Sequence, residues 1–135
     1  MGIELWMVFE AVAPTREDLE NSLDDHIEKM KSEDELDITE YEVEESEEVE
    51  NPHPGLEKGF SQVAEVRAEA ENYTRAIKTV INYGPTYVQV EGPDTYEMEL
   101  PDTQESLQEV ANMMHKYAQM GVGGVLVSNP EADEN

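Results

Sequence analysis

The sequence predicts an α+β fold in a single domain, and three observations support this prediction. Segments in which apolar and polar residues alternate, the pattern of half-buried strands, recur along the chain. Between them lie segments whose apolar residues recur every three or four positions, as in amphipathic helices. Their order is strand, helix, strand, loop, strand, helix, strand, then an extended piece and a last helix. A length of 135 residues is typical of one domain.

The first predicted strand occupies residues 4–13. Its alternate apolar residues share one face: Ile3, Leu5, Met7 and Phe9. The other face is also partly apolar because it carries Trp6 and Val8, so we expect both faces of the sheet to be covered, the second by the last helix or by another subunit.

The first predicted helix spans residues 16–31. Thr15 is a favourable N-cap residue, with Asp18 three positions later. The apolar face of this helix is formed by four residues at helical spacing: Leu19, Leu23, Ile27 and Met30. A second strand follows over residues 36–44, with a bulge or bend predicted between Ile38 and Tyr41, where the apolar phase slips by one position.

Residues 44–59 form a charged segment that becomes rich in proline and glycine, and we predict an exposed loop there. The pattern from Gly59 to Tyr83 fits two structures. Alternation over residues 63–71 favours a strand followed by a helix that starts after Asn72, whereas 3–4 spacing over the whole segment fits one long helix. The helix that starts after Asn72 should direct four residues inward: Ala76, Ile77, Val80 and Ile81.

Gly84 and Pro85 end this helix, because glycine suits a left-handed C-terminal position and proline prevents continuation. A strand over 86–91 follows, and then an extended piece containing Tyr96 and Met98. The last helix is predicted to open at Asp102 in a capping box with Glu105. Its predicted apolar stripe comprises Leu107, Val110, Ala111, Met114 and either Tyr117 or Ala118.

The first six elements follow the order of a ferredoxin-like split βαβ sandwich, in which two helices cover one face of an antiparallel sheet. The last helix is then an addition to that core. We predict one domain over residues 1–128, with a short final strand in "VGGVLV", and a disordered acidic tail over residues 129–135.

The net charge of −25 restricts the functional classes. Such a compact chain repels itself in dilute buffer, but at about 1 M salt the Debye length is only about 3 Å. The composition therefore predicts a protein adapted to a salt-rich archaeal cytoplasm. The chain lacks a basic patch that would bind nucleic acid, a membrane span and a secretion signal. It has no cysteine, and its three histidines have no ligand spacing, so we expect no metal site and no cofactor.

Five residues are candidates for a ligand site or an interface. Tyr83 and Tyr87 flank the Gly84–Pro85 corner, and their rings and hydroxyls suit either role. Arg75 is one of only eight Lys and Arg residues. His115 lies beside two methionines on the last helix, and Trp6 lies on the second face of the first strand. Packing at a helix–strand corner and in the core is the alternative interpretation of all five.

The stretch "GFSQVAEVRAEAENYTRAIKTVINYGPTYVQVEGPDTYEMELPDTQESLQEVANMM" resembles small uncharacterised archaeal proteins. The resemblance rests on an alternating strand, a helix that ends in Tyr-Gly-Pro and an acidic strand. It implies a ferredoxin-like core and an archaeal setting, and it implies no catalytic residue.

Three functions remain open at this stage. The first is a non-catalytic regulatory or protein-interaction module, built as a homodimer. The second is a small enzyme or ligand-binding protein, with a pocket between the sheet and the last helix. The third is an acidic factor that binds a basic protein partner.

Overall fold

A computed structural model describes residues 2–53 and 55–119. Over these residues the fold is α+β, with one antiparallel sheet of five strands and three helices. The elements in chain order are β1 (Ile3–Ala13), α1 (Arg16–Lys31), β2 (Leu36–Val43), β3 (Glu47–His53), β4 (Leu56–Ala70), α2 (Tyr73–Tyr83), β5 (Tyr87–Gly92) and α3 (Leu100–Gln119). The chain divides into two compact units, Met1–Tyr96 and Glu97–Asn135, so the sheet, α1 and α2 belong to the first and α3 to the second.

The strands follow the order β2-β4-β1-β5, and β3 pairs with the beginning of β4 on the same edge as β2. The first unit contains two strand–helix–strand segments, β1-α1-β2 and β4-α2-β5, and in each of them a strand of the other segment lies between its two strands. β4 lies between β1 and β2, and β1 lies between β4 and β5.

One face of the sheet carries the core of the first unit. The apolar residues of β1 stand opposite small or branched residues of β4, as in the pairs Leu5–Ala68 and Met7–Val66. α1 contributes its predicted stripe to this core, and all four of its members are buried: Leu19, Leu23, Ile27 and Met30. The predicted Thr15 cap is confirmed, because its hydroxyl accepts a hydrogen bond from the Asp18 amide.

The predicted bulge in β2 is confirmed by a register shift between Ile38 and Glu40. The predicted loop over residues 44–59 is wrong. Most of it forms β3 and the first four residues of β4, which pair with each other so that Val49 stands opposite Gly59. Glutamate, asparagine and proline disfavour strands, but pairing with the long β4 overrides that preference. Asn51 takes a positive φ of 51° where the register of this hairpin shifts.

The ambiguous segment 59–83 is a strand followed by a helix. Asn72 caps α2, because its side-chain oxygen accepts a hydrogen bond from the Arg75 amide at 2.8 Å. The C-terminal glycine is also confirmed: Gly84 has φ 60° and ψ 54°, the left-handed conformation predicted for it. The predicted inward face of α2 is partly wrong. Ala76 is buried as expected, but Thr79 and Tyr83 are the other buried residues of α2.

Two predictions about the C-terminal part are corrected. The helix α3 begins at Leu100 and not at the predicted Asp102, and the Glu99 carbonyl accepts its first hydrogen bonds. The apolar stripe is displaced by one position. Leu107 and Met114 are 70% and 48% exposed, whereas Ser106 and Met113 are buried. The predicted final strand and acidic tail lie outside the described residues.

Candidate functional site

Arg75 and Tyr83 meet at one carboxylate. The Tyr83 hydroxyl donates a hydrogen bond to Glu33 Oε2 at 2.5 Å. Arg75 Nη1 lies 3.7 Å from Glu33 Oε1, in an ion pair whose side chains are 11% and 27% exposed. Glu33 follows the end of α1, so this cluster ties α2 to the end of α1. The Tyr83 hydroxyl and Arg75 Nη1 thus both face a carboxylate of the protein, whereas the buried Arg75 Nε has no hydrogen-bond partner.

Burial raises the pKa of Tyr83 well above its usual value near 10, and the hydrogen bond to Glu33 adds to this effect. The phenol is therefore a neutral hydrogen-bond donor at physiological pH. On its other side, the ring makes an edge contact with His26, whose Nε2 lies 2.9 Å from the Tyr83 carbonyl oxygen. His26 and Tyr83 line a pocket of about 230 Å³ together with Phe9 and Glu10.

Trp6 and Tyr87 lie on the opposite face of the sheet from Tyr83. Their rings form an edge contact, with centroids 5.5 Å apart. The Trp6 indole donates a hydrogen bond to Glu65 at 3.2 Å. Arg67 approaches the Trp6 ring at 5.9 Å, and its Nε pairs with Glu91 at 3.2 Å. The Gly84–Pro85 corner therefore separates the two tyrosines instead of placing them in one site.

The fifth candidate, His115, is an exposed residue of α3 in the second unit. The five predicted residues thus occupy three places. Arg75 and Tyr83 share the Glu33 cluster, Trp6 and Tyr87 share the sheet face opposite α1 and α2, and His115 belongs to the second unit.

Sequence reasoning missed an apolar concave surface of the first unit, which we term the α2–β5 groove. It has a volume of about 250 Å³. Its lining comes from β1, α2 and β5: Ile3, Leu5, Tyr73, Ala76, Ile77, Val80, Ile81, Val88 and Val90. Eight of these nine side chains are hydrocarbon, and the ninth is Tyr73, which is 43% exposed. Such a lining suits an apolar partner surface and supplies no acid–base pair.

The α2–β5 groove coincides with a stretch that contains no acidic residue. Residues 72–90 include neither Asp nor Glu, although the chain's average of 33 acids in 135 residues would place about five there. This is the longest acid-free stretch of residues 1–96, and its only charged residues are Arg75 and Lys78. A scan for long acid-free stretches would have pointed to residues 72–90 from sequence, together with the longer stretch of residues 110–130.

Among residues 2–53 and 55–119, no group of three or more His, Asp or Glu residues is arranged to hold a metal ion. Within that same part of the chain, no helix combines the length and apolarity needed to cross a bilayer.

In a comparison with protein families, residues 4–121 match the model of the MJ0538 family, named after a protein of the archaeon Methanocaldococcus. No curated protein and no solved structure matches the chain.

Proposed function

The chain belongs to the MJ0538 family, an archaeal family, and we propose that it acts as a non-catalytic regulatory or protein-interaction module built as a homodimer. This proposal rests on one observation: most of the residues that line the α2–β5 groove lie within residues 72–90, which contain no Asp or Glu. Val88 and Val90 in the groove are 39% and 59% exposed. Apolar patches of this kind on an otherwise charged protein mark sites of association.

The net charge of the chain favours a second copy of the same protein as the partner that covers the α2–β5 groove. Two chains of charge −25 repel each other wherever their carboxylates face one another. Residues 72–90 carry no carboxylate, so two copies can approach each other through them without opposing carboxylates. A C2 interface uses the same patch on both subunits, so one surface of this kind is sufficient.

The acidic composition supports a working environment of high salt, and we place the protein in the cytoplasm of a salt-adapted archaeon. At about 1 M salt, a Debye length of about 3 Å screens the repulsion both within and between chains. The same salt strengthens the burial of apolar surface when its anion is kosmotropic.

The strand order supports a ferredoxin-like core as the scaffold of this module. With β3 set aside as a hairpin extension, β1-α1-β2 and β4-α2-β5 form two βαβ segments that interleave in one antiparallel sheet. In this arrangement β5 is an edge strand beside α2, which places the acid-free residues together on one border of the sheet.

The oligomeric state of Val90→Glu tests the proposed function. Sedimentation in about 1 M KCl should show a wild-type dimer at micromolar concentration, and the variant should dissociate at least about 100-fold more readily because it buries an unpaired charge. Val12→Glu is the matched control, because Val12 is a 39% exposed valine on β1 outside the groove. It should leave the dimer intact.

Circular dichroism of both variants establishes that they fold. Val88→Lys provides a second disruption that carries the opposite charge, and it should dissociate the dimer as well. A wild-type protein that is monomeric at 100 μM in 1 M KCl, or a dimer insensitive to both valine substitutions, would contradict the proposal.

A further inference from the structure

We infer that β5 pairs with β5 of a second copy in an antiparallel arrangement centred on Gln89, so that the two sheets become one. This inference rests on the proposed function, since it specifies how the proposed dimer is built. Among residues 2–53 and 55–119, the only strand that pairs with β5 is β1, so its other border carries backbone groups without a strand partner. Exposed strand borders are templates for pairing with another chain.

The strand β5 has few of the features by which proteins usually block such pairing. Charged side chains, prolines and bulges protect sheet edges. β5 contains no proline, its register against β1 shifts once, beside Glu91, and its single charged residue is that same Glu91. Glu91 is already paired with Arg67 of the same chain at 3.2 Å.

The two faces of β5 limit the possible registers. Val88 and Val90 share the helix-bearing face with Met7 and Leu5, because these residues stand opposite each other in the β1–β5 pair. A two-fold axis perpendicular to the sheet keeps that face on the same side in both copies. Two residues that stand directly opposite each other must then point to the same face, so their numbers are both even or both odd. The two-fold axis therefore passes through a residue and not between two residues, and the candidates are residues 88, 89 and 90.

Centring on Gln89 uses the whole strand. It sets Val88 opposite the partner's Val90 and the partner's Val88 opposite Val90, which joins the two α2–β5 grooves into one apolar surface. It also sets Tyr87 opposite the partner's Glu91. With a rise of about 3.3 Å per residue and a strand spacing of about 4.8 Å, the two Glu91 residues are about 14 Å apart. This exceeds the Debye length of about 8 Å at physiological salt.

The other two centres are less favourable. An axis at residue 88 sets Val90 opposite the partner's Thr86 and Glu91 opposite the partner's Pro85, which has no N–H to donate. An axis at residue 90 leaves Tyr87 unpaired and brings the two Glu91 residues to about 8 Å. Pairing along the whole strand therefore favours Gln89 over residue 88, and charge favours Gln89 over residue 90.

The absence of cysteine from the chain permits a direct test of this register. Single variants Val88→Cys, Gln89→Cys and Val90→Cys are oxidised with copper–phenanthroline in about 1 M KCl, and the rate of covalent dimer formation is followed on non-reducing gels. Val12→Cys serves as the control, because Val12 and Val88 are both 39% exposed.

We expect Gln89→Cys to cross-link at least about tenfold faster than the other three variants. A residue on the axis faces its own copy with Cβ atoms about 5 Å apart, close to the distance that a disulfide requires. A residue one position away from the axis is about 8 Å from its copy, which is too far.

The outcomes separate this inference from the proposed function. Fastest cross-linking at residue 88 or 90 overturns the register. A dimer by sedimentation in which none of the three β5 variants cross-links faster than Val12→Cys overturns the strand pairing but leaves the homodimer. A monomer overturns both.

Discussion

Removal of the Tyr83 hydroxyl should destabilise the protein measurably. Tyr83→Phe deletes one oxygen atom and keeps the ring, which is 6% exposed and contacts His26. The substitution therefore opens no cavity of methyl size, and its effect reports the hydrogen bond from the hydroxyl to Glu33 at 2.5 Å.

The expected magnitude follows from the charge and burial of the acceptor. A hydrogen bond to a charged group contributes about 1.5–3 kcal/mol. Glu33 is 27% exposed, so water replaces part of the lost interaction, and Arg75 still faces the carboxylate at 3.7 Å. We therefore expect a loss near the lower end, about 1.5 kcal/mol at pH 7.

The effect should also depend on pH. The pKa of Tyr83 is raised in the folded protein, whereas the unfolded phenol ionises near pH 10. The stabilisation is therefore fully present below about pH 10 and declines as the pH rises above it, because the unfolded chain then releases a proton that the folded chain retains. The difference between wild type and Tyr83→Phe should shrink above that pH by up to about 1.4 kcal/mol per pH unit.

Urea unfolding at fixed protein concentration in about 1 M KCl, repeated from pH 7 to pH 11, measures both effects. Tyr41→Phe is the control, because Tyr41 is 46% exposed and its hydroxyl accepts a hydrogen bond from Lys31 at the surface. It should cost less than about 0.5 kcal/mol. Equal stability of wild type and Tyr83→Phe at pH 7, or a difference that grows above pH 10, would refute the reasoning.

Three further predictions concern the core, the helix end and salt. Met7→Ala should lower the free energy of unfolding, measured with urea, by about 2–5 kcal/mol because Met7 is fully buried. Leu107→Ala, at a 70% exposed position, should be nearly neutral, and similar losses in the two variants would contradict the assigned burial. Gly84→Ala should lower the free energy of unfolding by about 1–2 kcal/mol, because Gly84 has φ 60° although nothing lies within 4 Å of a new Cβ. Gly84→Asn should restore part of that loss, and equal losses in the two variants would indicate a steric cause. Circular dichroism should show cooperative thermal unfolding at about 1 M KCl and a lower midpoint at low salt, and identical midpoints would oppose salt adaptation.

Local patterns predicted most of the first unit because its elements follow strong and simple rules. The alternation of β1, the stripe of α1, and the Asn72 and Gly84 ends of α2 all rest on interactions within a few residues. The strand β3 could not be predicted in this way. Its own residues are poor strand formers, and it exists because β4 is long enough to pair with β2 along one part and with β3 along another.

The five candidate residues were chosen by chemical type, which does not determine the face on which a side chain lies. Tyr83 ends a helix and points into the core, whereas Tyr87 begins a strand and is 51% exposed on the other side of the sheet. Arg75 was singled out because cations are scarce, and its partner Glu33 lies 42 positions earlier, one acid among 33 in the sequence. Only the tertiary fold distinguishes that acid from the others.

In so acidic a chain, the distribution of carboxylates is more informative than their number. A carboxylate can be accommodated wherever a surface faces salt and water, and it is costly wherever a surface faces another apolar surface. An exposed stretch without carboxylates therefore indicates a position at which desolvation matters. Residues 72–90 form such a stretch, and they combine exposed Val88 and Val90 with a strand border that no described strand pairs. Charge pattern, exposure and topology thus all support the proposed pairing through β5.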